Sequence, residues 1–100
     1  MKVNVNAVGF SVDRKLVDFI QVRLEKLEKY YDKIVSSEVY LKVENTTDKE
    51  NKIVEVKLHV PGDDLLVKKQ CKSFEEAVEN ASEALERLLV KRKEKVRANP

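Results

Sequence analysis

Apolar residues alternate with polar ones along several stretches of this chain and recur at steps of three and four along two others. Residues 2–7 place Val3, Val5 and Ala7 on one side and Lys2, Asn4 and Asn6 on the other, the signature of a half-buried strand. Gly9 to Ser11 reads as a turn, and Asp13 or Ser11 can cap the helix that follows by accepting a bond from its free N–H groups. Leu16, Ile20, Leu24, Leu27 and Tyr31 then form one stripe, widened by Phe19 and Tyr30, so the helix is expected to run to about residue 31. Val39, Leu41 and Val43 alternate with polar neighbours. So do Val54, Val56, Leu58 and Val60, after a polar loop at residues 45–51. Pro61-Gly62-Asp63 makes a tight turn, with proline setting φ and glycine supplying a positive φ.

The next strand, residues 64–72, is less regular. Leu65, Val67 and Cys71 share a face with Lys69, so either Lys69 snorkels near an edge or a bulge shifts the phase. Ser73-Phe74-Glu75-Glu76 carries the S-x-x-E capping box that opens a second helix. Its stripe is read as Phe74, Val78, Ala81, Leu85 and Leu88. The order is β-α-β-β-β-α, an α+β chain. Each strand has one apolar face and each helix one apolar stripe, which predicts two layers: a four-stranded sheet with both helices on one face and the other face open. Short connections make the last three strands an antiparallel meander.

Composition narrows the class. One hundred residues make a single domain, here 1–100, and the lone Cys71 excludes an internal disulfide. No apolar run is long enough to span a bilayer, and the alternating N-terminus lacks an export signal. A cytoplasmic protein without a membrane partner is expected. The only histidine, His59, falls on a polar strand face, opposite Cys71, and no Gly-rich loop or clustered metal ligands are present. No catalytic residue, no metal, no cofactor and no small-molecule substrate is therefore expected: the chain does not read as an enzyme.

The charge pattern changes the picture most. The formal net charge is only +2, yet the second helix has two electrical halves. Its first half carries Glu75, Glu76, Glu79, Glu83 and Glu86, and its end carries Arg87, Lys91, Arg92, Lys93, Lys95 and Arg97, with Glu94 the one acidic residue. The helix dipole favours this polarity but acts mainly in the terminal turns, and the basic run spans about three. Lys91 and Lys95 form a like-charge pair at i, i+4, which stability alone does not explain. The first helix adds Arg23 and Lys26, with Lys33 just past its end. Two basic helical faces on one side of a sheet can track phosphates of irregular RNA without reading bases. The alternative is a protein–protein interaction module that uses the exposed sheet face, the basic helix serving only as a solubilising surface.

Three segments in this order resemble one family: Glu25-Lys26-Leu27-Glu28-Lys29-Tyr30-Tyr31-Asp32-Lys33-Ile34, then Leu58-His59-Val60-Pro61-Gly62, then Ser73-Phe74-Glu75-Glu76-Ala77-Val78-Glu79 followed by Leu85, Arg87, Leu89, Lys91, Lys93 and Lys95. The chain resembles the ribosome hibernation promoting factors, also called ribosome-associated inhibitors or light-repressed proteins, from the first strand to about Val96. The resemblance implies a fold similar to double-stranded-RNA-binding domains. It also implies binding to the small ribosomal subunit (16S rRNA) near the decoding region, where the protein blocks mRNA and tRNA and inhibits translation in slow growth or stress. The length matches the short form, which lacks a pairing domain, and a monomer is expected when free. Carried over by position, the rRNA-binding residues are Arg23, Lys26, Lys33, Arg87, Lys91, Lys93 and Lys95; Arg92 is added on charge alone. Ser73 and Glu75 stand where many members have Asp and Tyr, and a glycine common near Cys71 is absent.

Overall fold

The structure, a computed structural model, describes the backbone of residues 1–98 except Thr46 and Asp48, and side chains through Lys93. Its elements are β1 (Lys2–Val8), α1 (Arg14–Glu25), a 3-10 turn (Lys26–Lys29), β2 (Ser36–Val43), β3 (Lys52–Val60), β4 (Asp63–Cys71) and α2 (Phe74–Ala98). The strands form one sheet in the order β1-β2-β3-β4. β1 runs parallel to β2, because α1 carries the chain back to the starting end of the sheet; the two later pairings are antiparallel. The β-α-β-β-β-α two-layer arrangement expected from the pattern is the one observed, with α1 and α2 packed on the same face.

Alternation explains the core. Val39 and Leu41 of β2 and Val54, Val56, Leu58 and Val60 of β3 are buried, as are Ile20, Leu24 and Leu27 from the first helical segment. Phe74, Ala77, Val78, Ala81, Leu85 and Leu89 close the layer from α2. The edge strand β1 contributes only half-buried Val3 and Val5. Phe10, from the turn after β1, stacks on Phe74 with ring centroids 5.4 Å apart and packs against the core at the start of α2.

Several details differ from the pattern reading. Asp13, not Ser11, caps α1: its carboxylate accepts from the Lys15 N–H at 3.1 Å. The α-helix stops at Glu25, and a 3-10 turn finishes the segment, with the N–H groups of Tyr30 and Tyr31 both bonded to the Leu27 carbonyl. Such tightening satisfies terminal carbonyls that an α-helical end would leave open. Leu88 is 38% exposed; Leu89, one position on, is the buried residue that continues the α2 stripe. A step of three or of four from Leu85 is compatible with 3.6 residues per turn, and packing selects the latter. Lys69 needs no bulge. The β3–β4 register is continuous from Lys52↔Cys71 to Val60↔Asp63, so Lys69 sits half-exposed on the helix-facing side of an edge strand.

Turn chemistry follows the expected residues. Gly62 has φ +77°, which carries the chain from β3 into β4. At the other end of β4, the Ser73 hydroxyl accepts from the Glu76 N–H at 3.2 Å and fixes the first turn of α2.

Candidate nucleic-acid interface

The two helices run parallel, side by side. Neighbours advance together along both: Phe10 stacks on Phe74 ahead of and at the starts, Arg23 pairs with Glu79 further along, and residues 29–32 line one cleft with Lys93 at the far end. Both helices begin after a strand that ends on the same side of the sheet, β1 for α1 and β4 for α2, so both must also finish on one side. Their C-terminal ends, each the negative pole of a helix dipole, converge with the β3–β4 turn at one end of the molecule. Basic side chains gather at that end.

The expected residues fall into distinct environments. Lys26, Lys33, Arg87, Lys91 and Lys93 are all exposed. Arg23 is 21% exposed and its Nε lies 3.4 Å from Glu79 Oε1, so it bridges the helices at the floor of a cleft of about 370 Å³ that Phe19, Val22 and Lys26 also line. Arg92 points back onto the sheet. Its guanidinium donates to Asp63 Oδ2 at 3.2 Å and to the Pro61 carbonyl at 2.8 Å. The backbone of Lys95 lies in the last turns of α2; its side chain lies outside the described residues. Leu89 is the last buried residue of α2 among the described ones, and the helix continues roughly 13 Å beyond it at 1.5 Å per residue. Arg87, Lys91 and Lys93 therefore present exposed cations along this part of α2, open to a flat or irregular polyanion.

Pattern reasoning missed Lys29. It is exposed and lines a second cleft with Glu28, Tyr30, Tyr31, Asp32 and Lys93, which joins the end of the first helical segment to the basic end of α2. Its spacing of three from Lys26 and four from Lys33 was the available signal.

Between the helices the charges are mixed rather than uniformly basic. The Glu86 carboxylate on α2 is near enough to the Tyr30 hydroxyl to act as its hydrogen-bond acceptor in shifting its ionisation. That bond, then the negative charge of Glu86, then burial, raise the Tyr30 pKa above the ordinary tyrosine value, while nearby Arg23 opposes them. On the open face, the Tyr40 hydroxyl donates to Glu38 at 3.1 Å, and its pKa is raised for the same reason. A spectrophotometric titration should show Tyr30 and Tyr40 ionising above the normal range. Glu86→Gln should bring Tyr30 down toward it, since a neutral amide no longer repels the phenolate; an unchanged Tyr30 transition would rule out the Tyr30–Glu86 contact.

The open sheet face is mostly polar, with Val8, Ile53 and Leu66 as apolar exceptions, and much of its charge is internally engaged. Cross-strand register lines up Lys2, Ser36, His59 and Asp64 in one row and Asn4, Glu38, Lys57 and Leu66 in the next. His59 Nδ1 lies 2.7 Å from Asp64 Oδ1, and its Nε2 lies 3.8 Å from Glu38. Cys71 is buried on the opposite face, where Asn80 Nδ2 approaches its sulfur at 3.3 Å, so His59 and Cys71 cannot act together. Among the described residues no group of three or more His, Cys, Asp or Glu could hold a metal ion, and no helix is long and apolar enough to cross a membrane.

The same chain-wide pattern recurs in known proteins. The profile of the family described as Sigma 54 modulation protein / S30EA ribosomal protein matches residues 3–97. The chain belongs to this family. The ribosome hibernation promoting factor of Azotobacter vinelandii is 30% identical over 95 residues, covering 95% of this chain and 85% of that relative. The factor of the same name from Escherichia coli (strain K12) is 28% identical over 97 residues, covering 97% and 98%. Two solved structures share the fold. A ribosomal subunit interface protein from Coxiella burnetii superposes with a TM-score of 0.82 at 19% identity over 93% of this chain and 98% of that one. The N-terminal domain of Thermus thermophilus Protein Y gives 0.79 at 17% identity over 91% and 98%.

Proposed function

We propose that this protein is a ribosome hibernation factor. It binds the small ribosomal subunit through 16S rRNA near the decoding region, occupies space needed by mRNA and tRNA, and so inhibits translation in slow growth or stress. It acts by occupancy in the cytoplasm, with no chemical step of its own. Residues 1–100 form one ribosome-binding domain, monomeric when free. The observation that carries this reading is the convergence of two parallel helix ends at one end of the fold, with exposed Lys26, Lys29 and Lys33 from the first and exposed Arg87, Lys91 and Lys93 from the second. The family membership and the relatives named as hibernation factors support it.

The contact set we infer is Lys26, Lys33, Arg87, Lys91, Lys93 and Lys95, with Lys29 added from its position beside Lys93. Arg23 serves partly as a brace between the helices, since Glu79 already engages it. Lysines with exposed ammonium groups on flexible stems suit a backbone that presents phosphates at irregular spacing.

Polyanion binding releases condensed counterions, so affinity should fall steeply as salt rises. Measured against isolated small subunits at several salt concentrations, log K should decline with log salt with a slope of about −3 to −6, as expected for several phosphate contacts. A slope near zero would instead favour a protein partner docked on the sheet face.

A further inference from the structure

Past Leu89, the last buried side chain of α2 among the described residues, one basic side chain turns inward. Arg92 is 25% exposed while Lys91 and Lys93 beside it are exposed, and it lies three residues after Leu89, on the face of α2 that packs against the sheet. Its guanidinium forks onto two acceptors of the β3–β4 turn, the Asp63 carboxylate at 3.2 Å and the Pro61 carbonyl at 2.8 Å. The turn is itself held. Gly62 takes φ +77°, and Asp63 Oδ1 accepts the N–H of Asp64 at 2.8 Å, which fixes the carboxylate that receives Arg92.

We propose that Asp63 and Arg92 are a positioning pair: they fix the direction in which α2 leaves the sheet and thereby aim its basic end at the phosphates. The inference rests on the proposed function, in which this end contacts rRNA. The fork ties α2 to the sheet three positions beyond Leu89, the last buried side chain of α2 among the described residues, and so bears on the course of the helix toward Ala98. A planar guanidinium with two acceptors constrains direction as well as distance, which a lysine at this position does not do. An end held in place before binding loses less freedom on binding.

The sign of one substitution separates this from a purely electrostatic role. Asp63 is a negative charge at the basic end of a polyanion-binding protein. If charge alone mattered, Asp63→Asn, which raises the net charge by one, would tighten binding. If Asp63 aims the helix, the same change weakens it. A direct rRNA contact by Arg92 predicts loss for Arg92→Gln together with gain for Asp63→Asn.

The test measures dissociation constants on purified small subunits for the wild type, Asp63→Asn, Arg92→Gln and the double variant. Amide hydrogen exchange over residues 93–98 is followed in the free proteins, and thermal unfolding checks that all are folded. The expected result is about threefold to tenfold weaker binding for each single variant, no further loss in the double, and faster exchange over the last turns of α2. Binding of Asp63→Asn that equals or exceeds the wild type overturns the proposal. A wild type that fails to bind small subunits contradicts the functional reading instead; the exchange arm then decides the positioning role of the pair by itself, and exchange unchanged in Asp63→Asn removes it.

Discussion

Arg87→Glu combined with Lys91→Glu should reduce small-subunit affinity by about a hundredfold or more while the fold persists. The two positions are one helical turn apart, and both side chains are exposed. Each is expected to make a charge-assisted contact with phosphate, worth roughly 1.5–3 kcal/mol, so losing two removes about 3–6 kcal/mol before any repulsion from the new glutamates is added. The salt dependence should flatten as well, by about two in slope, because two fewer counterions are displaced. Stability should hardly move. Both side chains are exposed and lie about two turns or more before the end of α2, where the dipole contributes little, so each replacement should cost within about 0.5 kcal/mol. Affinity within threefold of the wild type would exclude this helix end as the binding surface, whatever the rest of the chain does.

The second large effect is on stability and concerns adjacent leucines. Leu89→Ala should destabilise the protein by about 2–5 kcal/mol, because Leu89 is fully buried in the core cluster and its removal leaves a cavity. Leu88→Ala should cost under roughly 1 kcal/mol, since that side chain is 38% exposed. Denaturant unfolding of the two variants separates them directly. Similar losses for both would mean that the α2 stripe runs through both positions and that the helix is rotated about its axis, bringing Leu88 toward the sheet. The pair also bears on function. Leu89 lies just before Lys91, so the anchorage of α2 at this point sets where the basic end begins to project.

Much of this fold is legible because local signals and burial agree. Period-two alternation located the strands, and the Ser73 capping pattern fixed the start of α2, whose hydroxyl bond to Glu76 is present. The failures have physical causes. Leu88 and Leu89 both satisfy helical spacing from Leu85, and only packing against the sheet distinguishes them. Lys69 left the phase of β4 open because a long side chain at an edge can hold its ammonium in water while sharing an apolar face; the unbroken register with β3 decides the matter. The end of the first helix tightens into a 3-10 turn through bonds to the Leu27 carbonyl, which residue propensities do not encode.

The candidate interface was legible as charge, not as geometry. Arg87, Lys91 and Lys93 stand out as a run in the sequence and are exposed in the structure. Arg92 belongs to the same run by composition, but Asp63, its partner, is 29 positions away, and a pairing of that separation has no local signature. Arg23 has the same history: its spacing marked it as a surface cation, while Glu79 on the other helix draws it into the cleft between them. Parallel packing of the helices, which brings Lys29 beside Lys93, follows from tertiary topology and was invisible from either segment alone.

Occupancy of the small subunit at the site used by mRNA and tRNA is what the proposed function requires. The most direct test sediments the purified protein with isolated small subunits, large subunits and whole ribosomes, with and without mRNA and tRNA in competition. Binding should be saturable on small subunits and whole ribosomes, absent from large subunits, and reversed by mRNA with tRNA. Equal binding to every particle, or small-subunit binding that mRNA and tRNA leave undisturbed, would contradict the proposed function.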